Sequence, residues 1–337
     1  MSLRVESPGL CTTVQDLGRP GYQHLGLGPG GAADPLSHRL ANLLVGNAPG
    51  DATLELTLAG PGLLFEEQTL VALCGADLSA TLDGRPLPLW RPVWVQAGAR
   101  LAFGAPLQGA RAYLAVAGGI QAPVLLGSRS ACLNAGLGRL LRAGDAFPVP
   151  EQPRHYPGPW QALQRRGTRF AAQSWFVPWF QELSFARPLA LRLLPGPQAG
   201  ALDAPSQAAL FSAPFRVAPA SDRMGLRLGG PVLALATPLE MLSAPVATGT
   251  LQLPPGGAPI LLMADRQTTG GYPRLGEVAT VDLPAAAQLR PGEALRFRPA
   301  AAAEALDLLR AREERLDALA EVVKVRLERL DWGIISG

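Results

Sequence analysis

The chain has 337 residues, 48% hydrophobic and 17% charged, enough to bury a sizeable core as one large domain or two of ordinary size. Its 38 Gly and 33 Pro make up about a fifth of the whole, which points to a turn-rich, strand-heavy globular protein and excludes a helical bundle, a coiled coil and a disordered linker. The formal charge of +3 rests on scattered arginines and a single lysine, Lys324, which excludes a nucleic-acid footprint and any Walker-type, Schiff-base or biotin-accepting lysine.

The N-terminal residues 1–6 have no apolar signal core. The most apolar stretch, 112–126, is broken by glycine and too short to span a bilayer. Cys11, Cys74 and Cys132 are an odd, widely spaced set without a Cys-x-x-Cys pair, which fits free thiols in a reducing compartment. The expectation is a cytoplasmic chain with no membrane segment.

Residues 1–150 read as short apolar runs broken by turns, with one helix among them. Asp34 is placed to cap that helix and Pro35 to open its first turn. Leu36, Leu40, Leu43 and Leu44 form its apolar face before Gly46 stops it. Strands are expected over 53–58, 69–73, 93–96 and 113–116, with Asp83-Gly84 as a hairpin turn. The composition then shifts over 151–186 to four prolines followed by Trp160, Phe170, Trp175, Phe176, Trp179, Phe180 and Phe185, read as a linker or insert rather than more sheet. Short strands resume over 187–298. From 300 to 332 the apolar residues Leu316, Leu319, Val323, Leu327 and Leu330 recur at helical spacing. The expected division is thus a domain over 1–150, the linker or insert over 151–186, a second domain over 187–298 and a C-terminal helix over 299–337.

The two strand-rich parts share an ordered set of short likenesses. Asp16-Leu-Gly-Arg19 matches the turn at 221–225, Thr53-Leu-Glu55 matches Pro238-Leu-Glu240, Cys74-Gly-Ala-Asp77 matches Met263-Ala-Asp265, and 97–101 matches 291–295. Four such pairs in order indicate a duplicated β-domain.

Most catalytic signatures are missing. Gly26-x-Gly28-x-x-Gly31 has the letters of a dinucleotide fingerprint but lacks the strand before it and the βαβ pattern after it. It is either a Gly-rich turn offering backbone N–H groups to an anion at a helix N-terminus, or simply a tight turn. His24, His38 and His155 have no metal-ligand spacing, and His38 reads as an ordinary surface residue of the helix. Gly127-Ser128-Arg129-Ser130 is a polar turn, not a nucleophile elbow. What stands out is three polar, glycine-rich loops at 13–21, 221–228 and 265–273, the last reading Asp-Arg-Gln-Thr-Thr-Gly-Gly-Tyr-Pro. Such a density of donors and acceptors suits a small, polar, partly anionic ligand, with Arg for carboxylate or phosphate and Thr for hydrogen bonds. It equally suits a salt-bridged network holding a barrel corner.

In this order the segments resemble the 5-oxoprolinase C-subunit family, also known as the allophanate hydrolase subunit 2 or biotin-dependent carboxyltransferase family. The stretches that carry the likeness include SPGLCTTVQDLGRPGYQHLGLGPGGAADPLSHRLANLLVGN, YLAVAGGI with LLGSRS, SDRMGLRL and LQLPPGGAPILLMADRQTTGGYP, covering most of 5–150 and 187–298. The aromatic segment at 151–186 lies outside the family pattern, and Ala131 stands where Thr is usual.

The resemblance implies a mainly β fold of two tandem cyclophilin-like β-barrel domains with a C-terminal helix. It implies one component of an enzyme, a hydrolase of a cyclic amide that is active only in a complex. The B and C subunits would use ATP to activate 5-oxoproline by phosphorylating its amide oxygen, and the A subunit would complete ring opening to glutamate. ATP with Mg²⁺ would sit at or across the partner interface, with no covalent biotin on this chain. Carried over by motif, Asp16, Arg19, Asp222, Arg223 and Asp265 become candidate catalytic residues. Gln15, Arg227, Thr268, Thr269, Gly270, Gly271 and Tyr272 become candidate substrate-binding residues, with no metal ligands. Arg223 or Arg19 would hold a carboxylate or phosphate, and Asp265 would position a metal or a proton. Two other readings remain open: the carboxyltransferase part of a biotin-dependent urea or amide carboxylase, and a non-catalytic regulator that binds a kinase inhibitor. The aromatic rings of 151–186 would either anchor a partner or pack back on their own domain.

Overall fold

The computed structural model describes residues 2–149, 169–179, 183, 185, 187–328 and 334–335. It is mainly β and divides into two compact units, neither of them one continuous piece of sequence. The first contains Met1–Gly18, Asp34–Gln181 and Leu316–Gly337; the second contains Arg19–Ala33 and Glu182–Arg315. Residues 19–33, expected in the first domain, therefore count with the second.

In the first unit the strands form two sheets. One has the order Ala146–Pro148, Ser2–Ser7, Gly62–Phe65, Arg100–Ala102, Thr81–Leu82, Arg85–Pro86. The other has the order Cys11–Gln15, Thr53–Thr57, Gln108–Val116, Thr69–Asp77, Val93–Val95, Phe170–Gln173, Ile334–Ile335. All four expected strands are present, and those at 69 and 108 run longer than the apolar pattern suggested. Asp83 and Gly84 take φ of 48° and 79°, the left-handed pair a two-residue hairpin turn requires, and Leu82 pairs with Arg85 across them. Residues 170–173, expected in the linker, instead pair with Val93–Val95 because Phe170 and Ala172 fill the same core as Val93 and Val95. Trp160 and Phe180 lie outside the described residues, as does His155.

Period-two alternation separates the two faces of the long sheet. Leu54, Leu56, Val71, Leu73, Ala112 and Leu114 point into the apolar core, so Thr53, Glu55 and Tyr113 point to the other face. Helix Pro35–Leu44 packs on this face against the strands Thr69–Asp77 and Gln108–Val116. It starts as the sequence indicates: Asp34 Oδ1 accepts from Ser37 N at 2.9 Å, and Gly46 at φ 76° donates to the Leu43 carbonyl. The polar side chains trapped beneath it satisfy one another, with Tyr113 Oη donating to Glu55 and accepting from Asp34 N.

His38 corrects the surface reading. It is 0% exposed, because the helix turns this position toward the sheet rather than to solvent. A carbonyl can only accept, so Nε2 donates to Pro49 O at 3.1 Å and Nδ1 accepts from Thr53 Oγ1 at 2.9 Å. Burial drives the imidazole down from 6.5 to about 4. A depressed folded-state value means that acid favours the unfolded chain: the stabilisation is complete above 6.5 and is lost as pH falls toward 4. Between pH 7 and pH 5 the wild type is expected to lose about 2 kcal/mol more than a His38→Gln variant, which cannot titrate. Urea unfolding at both pH values checks this, and parallel losses would refute it.

In the second unit seven strands close into a barrel, in the order Leu189–Pro195, Arg274–Val278, Thr250–Gln252, Ile260–Leu262, Gly225–Gly229, Phe215–Val217, Ala294–Pro299. The first and last pair in parallel, which removes the free edges. Leu191, Leu226, Leu251, Leu261, Leu275 and Phe297 fill it. Its segment Pro238-Leu-Glu240 does not match Thr53-Leu-Glu55 in structure, since Glu55 is buried in a strand and Glu240 is exposed outside one. Helix Ala302–Glu328 follows; Leu316, Val323 and Leu327 are its buried stripe, and Leu330 lies outside the described residues. No described helix is long and apolar enough to cross a membrane.

Candidate functional site

In the first unit, the strand Cys11–Gln15 delivers Asp16 to the turn that ends it. Asp16 Oδ1 accepts from Gly18 N at 2.8 Å and Ser128 Oγ at 2.6 Å, and also from Ser130 Oγ. Oδ2 accepts from Arg129 N at 2.6 Å, while Asp16 N donates to Ser130 Oγ. Burial alone would push the carboxyl up, but the Ser128 and Ser130 hydroxyls and the two backbone N–H groups hold it below its ordinary 3.8. A carboxylate this fully bonded is a fixed negative charge and a poor proton acceptor. Gln15 is equally buried, its Nε2 donating to Thr13 Oγ1 and the Ala131 carbonyl. Beside them Ser128, Arg129 and Ser130 line one side of a cleft of about 350 Å³ that Val14, Leu141 and Phe147 line elsewhere.

The anion reading of the helix start at 35 has a simpler occupant. Asp34, itself buried, supplies the negative charge through its bonds to Ser37 N and Oγ.

In the second unit the loop at 19–33 and the barrel loops meet. Arg19 N donates to the Pro29 carbonyl at 2.8 Å, closing the loop on itself. Arg223 is buried and forks onto Asp265, Nε to Oδ2 at 2.8 Å and Nη2 to Oδ1 at 2.9 Å; Nη2 also reaches the Gly31 carbonyl at 2.6 Å. A Cβ on Gly30 would lie 3.6 Å from Arg19 Nη1 and 3.7 Å from Asp265 Oδ1, so this glycine stands between the two side chains. A Cβ on Gly28 would lie only 2.8 Å from the Arg266 carbonyl. Gly28 thus serves close backbone approach, while Gly26, Gly30 and Gly31 take φ of 81°, 63° and 88°, which is the tight-turn alternative. Gly28→Ala is expected to cost about 1–3 kcal/mol, against less than about 0.5 for Gly50→Ala. At Gly50 nothing lies within 4 Å of the new methyl. Thermal unfolding compares the pair, and equal midpoints would refute the close-approach role.

The other motif residues are spread around the barrel rim. Asp222 is exposed and folds its own loop, Oδ1 accepting from Met224 N at 2.8 Å. Arg227 points to solvent while its N–H donates to Ser221 Oγ. Thr269 and Gly270 form a short strand paired with Ala244–Pro245, and Thr268 accepts through its carbonyl from Val246 N. Tyr272 is 43% exposed and, with Gly271, borders a cleft of about 580 Å³ lined by Leu233, Leu239, Leu253 and Pro254.

Beneath that loop lie residues the motif reading passed over. Arg266 is buried, with Nη1 donating to Thr248 Oγ1 at 2.9 Å and Nε to the Val246 carbonyl at 3.3 Å. Glu277 accepts from Thr250 Oγ1 at 2.8 Å, across the strand pair that sets Thr250 opposite it. Burial pushes the Glu277 carboxyl up, against the Thr250 hydrogen bond and the Arg274 and Arg266 charges that pull it down. Arg266 was visible in the third loop; Glu277 carried no signal, because only strand register places it there. Ser128 and Ser130 did carry one, since alternate residues of an extended turn share a side.

The comparisons with known proteins agree on one family. A family model for the carboxyltransferase domain, subdomains A and B, matches residues 25–299. The C subunit of 5-oxoprolinase from Escherichia coli is 36% identical over 322 residues, 94% of this chain and 97% of that protein. Its counterpart of the same name from Haemophilus influenzae is 35% identical over 92% of this chain and 95% of its own length. The crystal structure of Kluyveromyces lactis urea carboxylase superposes with a TM-score of 0.81 at 28% identity, over 94% of this chain and 29% of that one. The chain therefore spans nearly all of the two bacterial 5-oxoprolinase proteins and under a third of the urea carboxylase.

Proposed function

The chain belongs to the carboxyltransferase-domain family with subdomains A and B, and on that footing we propose that it is the C subunit of an ATP-dependent 5-oxoprolinase. One observation carries the reading: the end-to-end match in length and sequence to the Escherichia coli protein. In this proposal it acts in the cytoplasm with a B subunit to activate 5-oxoproline, and an A subunit then finishes hydrolysis to L-glutamate. The lactam carbonyl is a poor electrophile. Transfer of the ATP γ-phosphoryl to its oxygen releases ADP and makes that oxygen a leaving group; water then opens the ring and phosphate departs.

Among the described residues, the motif carboxylates Asp16 and Asp265 do not fit a nucleotide–Mg²⁺ site. Asp16 is saturated by hydrogen bonds and Asp265 is committed to Arg223. Lys324, the single lysine, sits on an exposed stretch of the C-terminal helix. The proposal accordingly assigns ATP and its ion to a partner or a shared interface. This chain's part is to present the lactam. In the second unit, the loops held by the Arg223–Asp265 pair would present backbone and hydroxyl groups to it, consistent with holding a near-attack geometry.

A second reading has its own support. The TM-score of 0.81 to urea carboxylase over 94% of the chain favours a carboxyltransferase that takes carboxyl groups from biotin on another polypeptide. Reconstitution separates the two. With the A and B partners present, glutamate is expected to form from 5-oxoproline only when ATP and all three chains are supplied. No glutamate from an assembled complex would overturn the first reading and direct assays to urea-like amides with a biotin donor.

A further inference from the structure

Arg266 is a buried cation whose hydrogen-bond acceptors are all neutral. It is 7% exposed, and among the described residues its guanidinium donates to the Val246 carbonyl and Thr248 Oγ1 alone. Among the described residues no carboxylate lies within ion-pair distance of it, and Glu277 is felt only as a longer-range attraction. Neighbouring arginines of the same unit are treated differently: Arg223 has Asp265, Arg192 has Asp282, and Arg187 has Glu293. Withdrawing a guanidinium from water without a counterion costs free energy that hydrogen bonds to neutral oxygens recover in part. Burial accordingly lowers the Arg266 value below the ordinary arginine range.

The surroundings suit an incoming oxyanion. Thr248, whose hydroxyl accepts from Arg266 Nη1, is half-buried and so partly open to solvent. Glu277 accepts from Thr250 Oγ1, and burial pushes its carboxyl up from the ordinary value.

We propose that Arg266 and the Thr248 hydroxyl form an oxyanion site that takes the carboxylate or phosphoryl group of a small ligand. The assignment rests on the 5-oxoprolinase reading for its ligands, since 5-oxoproline offers a carboxylate and its activation a phosphoryl group. It also gives the gripping role to Arg266 in place of Arg223, whose fork is already occupied by Asp265.

The test is thermal unfolding of the full chain titrated with inorganic phosphate and, separately, with 5-oxoproline. The wild-type midpoint should rise with at least one of them by concentrations on the order of 10 mM. Phosphate alone would identify the phosphoryl group, and 5-oxoproline alone the carboxylate. In Arg266→Gln the response should weaken by about tenfold or vanish, while the ligand-free midpoint stays level or rises because an unpaired buried charge is gone. Thr248→Val, a smaller change, guards against a poorly folded first variant and should weaken the same response with the ligand-free midpoint unmoved. Overturning results are a response that survives in both variants, or a wild-type chain that neither compound stabilises. Loss of the anion response in the variants, alongside a reconstituted complex that makes no glutamate, would leave this site standing and discard the oxoprolinase reading.

Discussion

Arg223→Ala is expected to destabilise the chain by about 3–5 kcal/mol, the range for breaking a buried ion pair from one side. The cause is the carboxylate left behind. Asp265 is 7% exposed, its side chain loses both charge-assisted bonds at once, and the Gly31 carbonyl loses the donor that tethers the 19–33 loop. Arg223→Lys keeps the charge but lacks the planar fork and recovers only part of the loss. Replacing both partners by leucine is expected to cost less than Arg223→Ala alone, because no charge is then stranded. Urea unfolding of the four proteins measures each term. A loss under about 1 kcal/mol in Arg223→Ala would show that water or a loop shift readily compensates Asp265, and would remove the pair as the organiser of this corner.

Asp16→Ala is the second large effect, about 2–4 kcal/mol, since it removes the charged acceptor of the Ser128 and Ser130 hydroxyls and of the Arg129 and Gly18 N–H groups together. The pH dependence identifies the charge as the agent. The folded-state value lies below 3.8, so Asp16 contributes its stabilisation in full above that value and loses it as pH falls below it through the folded value. The gap between wild type and variant is therefore expected to be level from pH 8 to pH 5 and to narrow once pH drops beneath about 4. A gap that stays level in stronger acid would mean that shape, not charge, is what the turn requires. Turnover in the reconstituted complex is expected to fall with stability in both variants.

The likeness between Asp16 and Asp222 shows how far a motif reaches. Both carboxylates accept from the N–H two residues on, so the same short spacing folds the same small turn in each half. Beyond the turn they diverge: Asp16 is buried under Ser128 and Ser130, and Asp222 is exposed. Identical local chemistry thus yields one residue woven into the protein and one at its surface.

Whatever a few adjacent residues decide could be read from the chain before it folds. The cap and stop of the helix at 35–44, the Asp83-Gly84 hairpin, the apolar strands and the buried stripe of the C-terminal helix all follow from backbone preferences and side-chain periods within a turn or two. The polar loops were legible as unusual, and as belonging to one family. What each polar residue meets is settled by long-range packing instead. Asp16 finds Ser128 and Ser130 more than a hundred residues away, Arg223 finds Asp265 across 42, and Glu277 finds Thr250 through strand register. His38 is buried because a sheet built from later sequence covers its side of the helix. Residues 19–33 count with the second unit for a related reason: Arg223, which donates to the Gly31 carbonyl, and the Arg266 backbone close to Gly28 are supplied by loops of a barrel formed two hundred residues on. Such pairings depend on chain closure and on which face of a sheet is covered, and neither leaves a mark in the local pattern of residues.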